Sequence, residues 1–275
     1  MLLRPPIAAG RFYPDTPAEL SAEIARYLGD ALVVPAPDET AGIVVPHAGY
    51  PFSGPVAAYG FKRVQGKRPG RVVLLGRSHH YGFHGASIIT SGALQTPLGH
   101  LPVDEDFARK LAREVETESA KAHGPEHALE VELPFLQVLF GEVPVVPILF
   151  GCEPGAWHVA FGRSLAARLE PQDLVLVSTD LSHYLSNDQA HDADERSLGA
   201  LLSGDIDSYE HGVESDAVKM CGATAVVAGM ACATARGATQ WHLLDYRTSG
   251  DVTGMIERVV GYAALSMEYP GDTTP

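Results

Sequence analysis

Arg71-Val72-Val73-Leu74-Leu75-Gly76-Arg77-Ser78-His79-His80 is the stretch from which the rest of the chain can be read. Its first half is short, almost wholly apolar and stopped by glycine, the pattern of a strand buried on both faces. Its second half delivers two histidines just past the strand end. The same grammar recurs at Ala41–Val45, followed by Pro46-His47, and at Leu174–Ser178, followed by Thr179-Asp180-Leu181-Ser182-His183. Val145–Leu149 reads as a fourth buried strand. Between these runs come amphipathic stretches. Thr16-Pro17 marks a helix start running toward Leu28, with Pro at the first helical position. Asp104 opens a run with Phe107, Leu111 and Val115 on one stripe, and Pro154 opens another through Leu169. Two more helices follow at about 188–202 and 222–235, then strand-like segments at 241–247 and 259–265. Alternation of this kind predicts an α/β fold with a largely parallel or mixed central sheet flanked by helices. With no linker, repeat or low-complexity tract, residues 1–275 are expected to form a single domain.

Composition narrows the function classes. The 275 residues are 45% hydrophobic and 20% charged, which suits a folded core rather than disorder. Twenty Lys and Arg against 34 Asp and Glu give 20 − 34 = −14, a field that repels phosphate backbones. No basic run offsets it, so nucleic acid is not an expected partner. Nothing approaches the ~18 consecutive apolar residues of a membrane span, and the N-terminal stretch lacks a signal-peptide core. Three cysteines without framework spacing argue against a disulfide scaffold. A soluble cytoplasmic protein is the expectation.

The chemistry is expected where the histidines gather. In open α/β sheets the ligand crevice lies beyond the carboxyl ends of the strands. A lone histidine there is usually a satisfied loop residue, but His47, the His79-His80 pair and His183 occupy equivalent places. Adjacent residues in extended chain point to opposite sides, so only one of His79 and His80 should enter the crevice, and spacing does not choose between them. Cys221 sits where a small-residue helix begins, a setting that favours the thiolate needed for metal binding or nucleophilic attack. Cys152 and Cys232 read as small buried hydrophobes. Glu126, His127 and Glu130 would share a face if 126–132 were helical, serving acid–base chemistry, orienting a ligand histidine or simply facing solvent. Asp180 could fix an imidazole tautomer or cap a turn. No phosphate loop, GxGxxG, GxSxG, HExxH or CxxC motif is present.

The blocks AAGRFYPDTPAEL, VVPHAGYPFSGPVAA, LLGRSHHYGF, EHALEVELPFLQ, VSTDLSHY and KMCGATAV occur here in the order seen in the Memo family. The chain resembles that family over roughly residues 8–268. In prokaryotes the family includes protein B of the AmmeMemoRadiSam system, which implies an association with a radical-SAM pathway. The resemblance implies a fold similar to the class III, LigB-type extradiol dioxygenases, non-haem iron enzymes that cleave catechols. Carried over by position, it implies metal ligands His47, His80 and Cys221, thereby selecting His80 over His79. It places His183, Asp180 and His127 in the same pocket, with His183 at the place of the dioxygenases' acid/base histidine. A thiolate here replaces the carboxylate of the dioxygenase iron site, so ring cleavage does not carry over with the fold. Iron(II) is the expected metal, with copper and zinc as competitors. The implied protein is a redox or oxygen-dependent metal protein acting on a small molecule. A peptide- or protein-binding module without turnover and a zinc-dependent hydrolase are the alternatives.

Overall fold

The computed structural model describes residues 3–114, 117–118, 120–151 and 154–271. The chain begins with β1 (Leu3–Arg4), then α1 (Pro17–Asp30), β2 (Thr40–Val45), α2 (Tyr50–Arg63) and β3 (Val72–Arg77). Four short strands and one helix follow: β4 (Ala86–Ile88), β5 (Ala93–Thr96), β6 (Gly99–Pro102), α3 (Glu105–Glu114) and β7 (Thr117–Glu118). The middle of the chain forms α4 (Leu133–Phe140), β8 (Val145–Phe150), α5 (Ala156–Ala166), β9 (Leu174–Ser178) and β10 (His183–Leu185). The remainder comprises α6 (Asn187–Leu202), α7 (Ile206–Glu214), α8 (Ala223–Ala235), β11 (Gln240–Thr248), α9 (Ser249–Thr253) and β12 (Val259–Glu268).

The main sheet runs β10-β12-β2-β9-β3-β8-β4-β7, with β11 paired to β12. Its centre, β2-β9-β3-β8, is parallel, while β12 joins β2 and β4 joins β8 in antiparallel fashion. The mixed sheet flanked by helices is thus the predicted one, and the four apolar runs are its central strands. Alternation within them builds two cores. Val73, Leu75, Val175 and Val177 pack with α5 and α8 on one face, whereas Val72, Leu74, Leu174 and Leu176 pack with α1, α2 and α4 on the other. α8 is buried on nearly every side, as its Ala-rich, uncharged sequence requires. A separate sheet, β1-β5-β6, ties the start of the chain to the middle.

Some details differ from the sequence reading. Residues 126–132 are not a helix: the chain turns through 129, tightens into a 3-10 turn at Glu130–Glu132, and only then enters α4. Glu126 and Glu130 consequently point to different partners. They are also 2% and 1% exposed, which excludes a solvated charged face. α2 went unread, because Pro51, Gly54, Pro55 and Gly60 interrupt the helical pattern. Cys221 and Cys232 are free thiols, and burial pushes the Cys232 thiol up to about 12. Cys152 and Val115 lie outside the described residues. No helix among the described residues is long and apolar enough to cross a membrane.

Candidate metal centre

β2, β9 and β3 are neighbours and parallel, so their carboxyl ends open on one edge of the sheet. His47 follows β2, His79 follows β3, and His183 begins the strand after β9. Cys221 reaches the same place from the start of α8. This approach depends on Gly222, where a Cβ would meet the Ser178 carbonyl oxygen at 2.7 Å and Thr179 Cβ at 2.8 Å. The turn is pinned by Cys221 N–H donating to Asp180 O (3.2 Å) and Gly222 N–H donating to Thr179 Oγ1 (2.9 Å).

Among the described residues, three overlapping groups each bring their donor atoms within 4.8 Å of one another: His47, His79 and Cys221; His79, Glu126 and His127; and Asp180, His183 and Cys221. Cys221 Sγ lies 3.2 Å from His47 Nε2 and accepts the Asp180 backbone N–H at 3.2 Å. A ring nitrogen of His79 lies within 4.8 Å of the same sulfur. His47 and His79 meet edge to face at 5.1 Å, and His127 stacks on His79 at 5.0 Å.

The hydrogen bonds decide which nitrogen each imidazole presents. His79 Nδ1 is 2.9 Å from Glu126 Oε1, so it donates there and leaves Nε2 toward the thiol. Glu126 is held by the N–H groups of His79, His127 and Ala128. His47 Nδ1 is 2.7 Å from Ser178 Oγ, whose own proton goes to Ala128 O at 2.7 Å. Ser178 therefore accepts from His47, freeing Nε2. His183 Nδ1–H donates to Leu181 O at 2.9 Å, again leaving Nε2 free. With Nδ1 committed, each of the three imidazoles keeps Nε2 for a metal or for proton transfer, once any proton on it has left.

Burial and charge divide the titratable groups. Burial opposes charge on His79, but its hydrogen bonds to Cys221 and Glu126 prevail and raise it to about 9. Burial would raise Glu126, yet the His79 hydrogen bond and charge, with the backbone donors, hold it at about 2. Burial, then the electrostatic cost of a second cation beside His47, lowers His127 to about 3, so this ring is neutral at pH 7. Burial lifts Glu132 to about 8 despite nearby His47 and a Ser178 contact at 3.2 Å. A protonated Glu132 can donate to Ser178 Oγ, completing a chain from a buried acid through a hydroxyl to His47.

The structure therefore brings together His47, His79, Cys221, His127, His183 and Asp180. His80 belongs to none of the three groups; its backbone N–H faces Ser78 Oγ at 3.4 Å. Among the described residues no hydrogen bond joins Asp180 to an imidazole ring; its Oδ1 accepts the His47 backbone N–H at 2.8 Å and so places the residue rather than its tautomer. Glu130 lies away from the centre and binds the N-terminal segment. Ser178 and Glu132 were missed as site residues. Ser178 closes a strand and Glu132 sits in an acidic run, and neither pattern signals burial beside a histidine.

A family model described as Memo-like protein matches residues 4–266. A MEMO1 family protein of Methanopyrus kandleri is 37% identical, covering 95% of this chain and 98% of its own. Another, from Nitrosopumilus maritimus, is 31% identical over 96% of this chain and 99% of its own. The crystal structure of an uncharacterized protein from Escherichia coli K12 matches with a TM-score of 0.52 at 14% identity. That match covers 73% of this chain and 86% of the other, and it shows a shared fold.

Proposed function

The chain belongs to the Memo family, and on that premise we propose that it is a metal protein whose ligands are His47, His79 and Cys221. The observation that carries this reading is the donor set: His47 Nε2, a ring nitrogen of His79 and one sulfur lie within 4.8 Å of one another, with both Nδ1 atoms already committed elsewhere. Two imidazoles and a thiolate suit iron(II), copper or zinc, and iron(II) is favoured by the resemblance to non-haem iron enzymes. When bound, a redox metal would supply electron transfer and an open coordination position for a small molecule. The chain's own residues do the rest. His183, exposed at the rim and grouped with Cys221, holds a free Nε2 that can accept or return a proton. Neutral His127, covered by the Phe12 ring at 4.6 Å, supplies a second acceptor beside His47 and His79.

Elemental analysis of untagged protein purified without oxygen tests the proposal, beside Cys221→Ser, His79→Ala and His80→Ala. About one equivalent of iron or copper, lost in the first two variants and kept in the third, is expected. Loss in His80→Ala with retention in His79→Ala would transfer the ligand role to His80. Absence of binding by iron(II), copper(I) and zinc(II) alike would leave the crevice as a docking site for a peptide or protein.

A further inference from the structure

We propose that Tyr184 and Arg258 form an anion-selecting rim on this crevice, admitting a small organic carboxylate with an apolar body. The inference rests on the reading of the crevice as a substrate site and names the class of substrate.

Tyr184 is strained, exposed and next to the chemistry. Its φ is 62°, and Asp216 is the one other non-glycine residue with positive φ among the described residues. Such a conformation is strained for a residue with a side chain, and one that is 64% exposed regains little of that by burial. The strain comes from the register of β10 on β12. His183 pairs with Val260 and Leu185 with Val259, and the register shifts between them, so Tyr184 is the extra residue of a bulge. Bulges beside sites re-aim a side chain. Here the Tyr184 ring meets His183 edge-on at 5.7 Å.

The same pairing brings Arg258, which immediately precedes β12, over that ring. Its guanidinium carbon lies 5.1 Å from the ring centroid. A guanidinium stacked on an aromatic keeps its N–H edge open for a carboxylate, and no ion pair is found for Arg258 among the described residues. A chain of net charge −14 thus sets a spare positive charge one ring away from His183. The surrounding acidity disfavours a dianion more than a monoanion, which selects carboxylate over phosphate. Met255 and Ile256, in the same segment, are 64% and 56% exposed and offer apolar surface. Asn187 N–H donates to Ile256 O at 2.8 Å and anchors that segment to the start of α6.

The test compares 4-phenylbutyrate, 4-phenylbutan-1-ol and phenyl phosphate as probes, by calorimetry, on wild type, Arg258→Gln and Tyr184→Gly. Metal content is measured in parallel, and each titration is repeated after metal removal. Wild type should bind the carboxylate at least about tenfold more tightly than the alcohol. Arg258→Gln should lose that preference with metal content unchanged, and Tyr184→Gly should weaken it. Equal binding of acid and alcohol, a preference that survives Arg258→Gln, or tighter binding of phenyl phosphate would each overturn the proposal. A protein without metal that keeps an Arg258-dependent preference would contradict the metal assignment alone.

Discussion

His79 carries the clearest test at the scale of one residue. In the metal-free protein its imidazole titrates at about 9, so at neutral pH a metal must displace a proton from it. Apparent affinity should therefore rise with pH, by about tenfold per unit for each proton released, and level off above 9. Glu126→Gln removes the anion that holds that proton and should flatten the dependence between pH 7 and 9. Chelator competition from pH 6.5 to 9 reads both curves, and parallel slopes would refute the role of Glu126. Glu132 predicts a stability effect of defined sign. Its carboxyl ionises near 4.5 when unfolded but near 8 when folded. Between those values the unfolded chain has released a proton that the folded chain keeps, so metal-free protein loses stability as pH rises. Glu132→Gln should escape that loss and exceed wild type by a few kcal/mol in urea unfolding at pH 8, with a smaller gap at pH 5. A gap that does not widen with pH would show that Glu132 is already ionised.

Among the elements, α5 against α8 is the contact most sensitive to a single atom. A Cβ at Gly162 would collide with the Ala228 carbonyl oxygen and lie 2.8 Å from Ala231 Cβ. Gly162→Ala should cost about 1–3 kcal/mol or more through overpacking and lower the melting temperature by several degrees; an unchanged melt would mean the helices can separate freely. The same physics explains what was legible beforehand. β2, β3, β8 and β9 are parallel and covered on both faces, so their sequences are apolar runs that no solvent-facing element imitates. α2 hides because close approach is encoded as glycine: a Cβ at Gly54 would stand 2.6 Å from the Tyr27 ring, and one at Gly60 would stand 2.6 Å from Val45. His47, His183 and Cys221 were legible because strand ends and a helix start are visible in sequence. Which of His79 and His80 lies against Cys221 in the fold was not, since that placement goes with the hydrogen bond to Glu126, 47 residues away. Ser178 and Glu132 stayed hidden for the same reason, as both matter only through burial beside His47.

At the scale of the whole molecule, one buried carboxylate joins the N-terminus to the body. The Glu130 side chain is 0% exposed and accepts from Arg4 Nη1 (2.7 Å), the Ala8 and Ile7 backbone N–H groups (2.8 and 3.0 Å) and the Tyr13 hydroxyl (2.7 Å). Arg4 also donates to the carbonyl oxygens of His123 and Glu126, and β1 pairs with β5. The segment held in this way carries Phe12, whose ring lies on His127 and whose carbonyl accepts the Tyr50 N–H at the start of α2. Glu130→Ala would strip the mostly buried Arg4 guanidinium of its counter-charge, leaving it only the two carbonyl oxygens, and would leave three other donors without their acceptor, a loss of about 3–5 kcal/mol by analogy with broken buried ion pairs. The damage should be local first. Amide exchange of residues 3–13 should accelerate in the variant while the strands β2, β3 and β9 keep their protection, and metal content should stay near that of wild type because none of the three proposed ligands touches Glu130. Uniformly faster exchange would show instead that the N-terminal segment is part of one cooperative unit with the sheet. Metal loss without such a global change would place the N-terminal segment, through Phe12 and His127, among the structures that hold the centre closed.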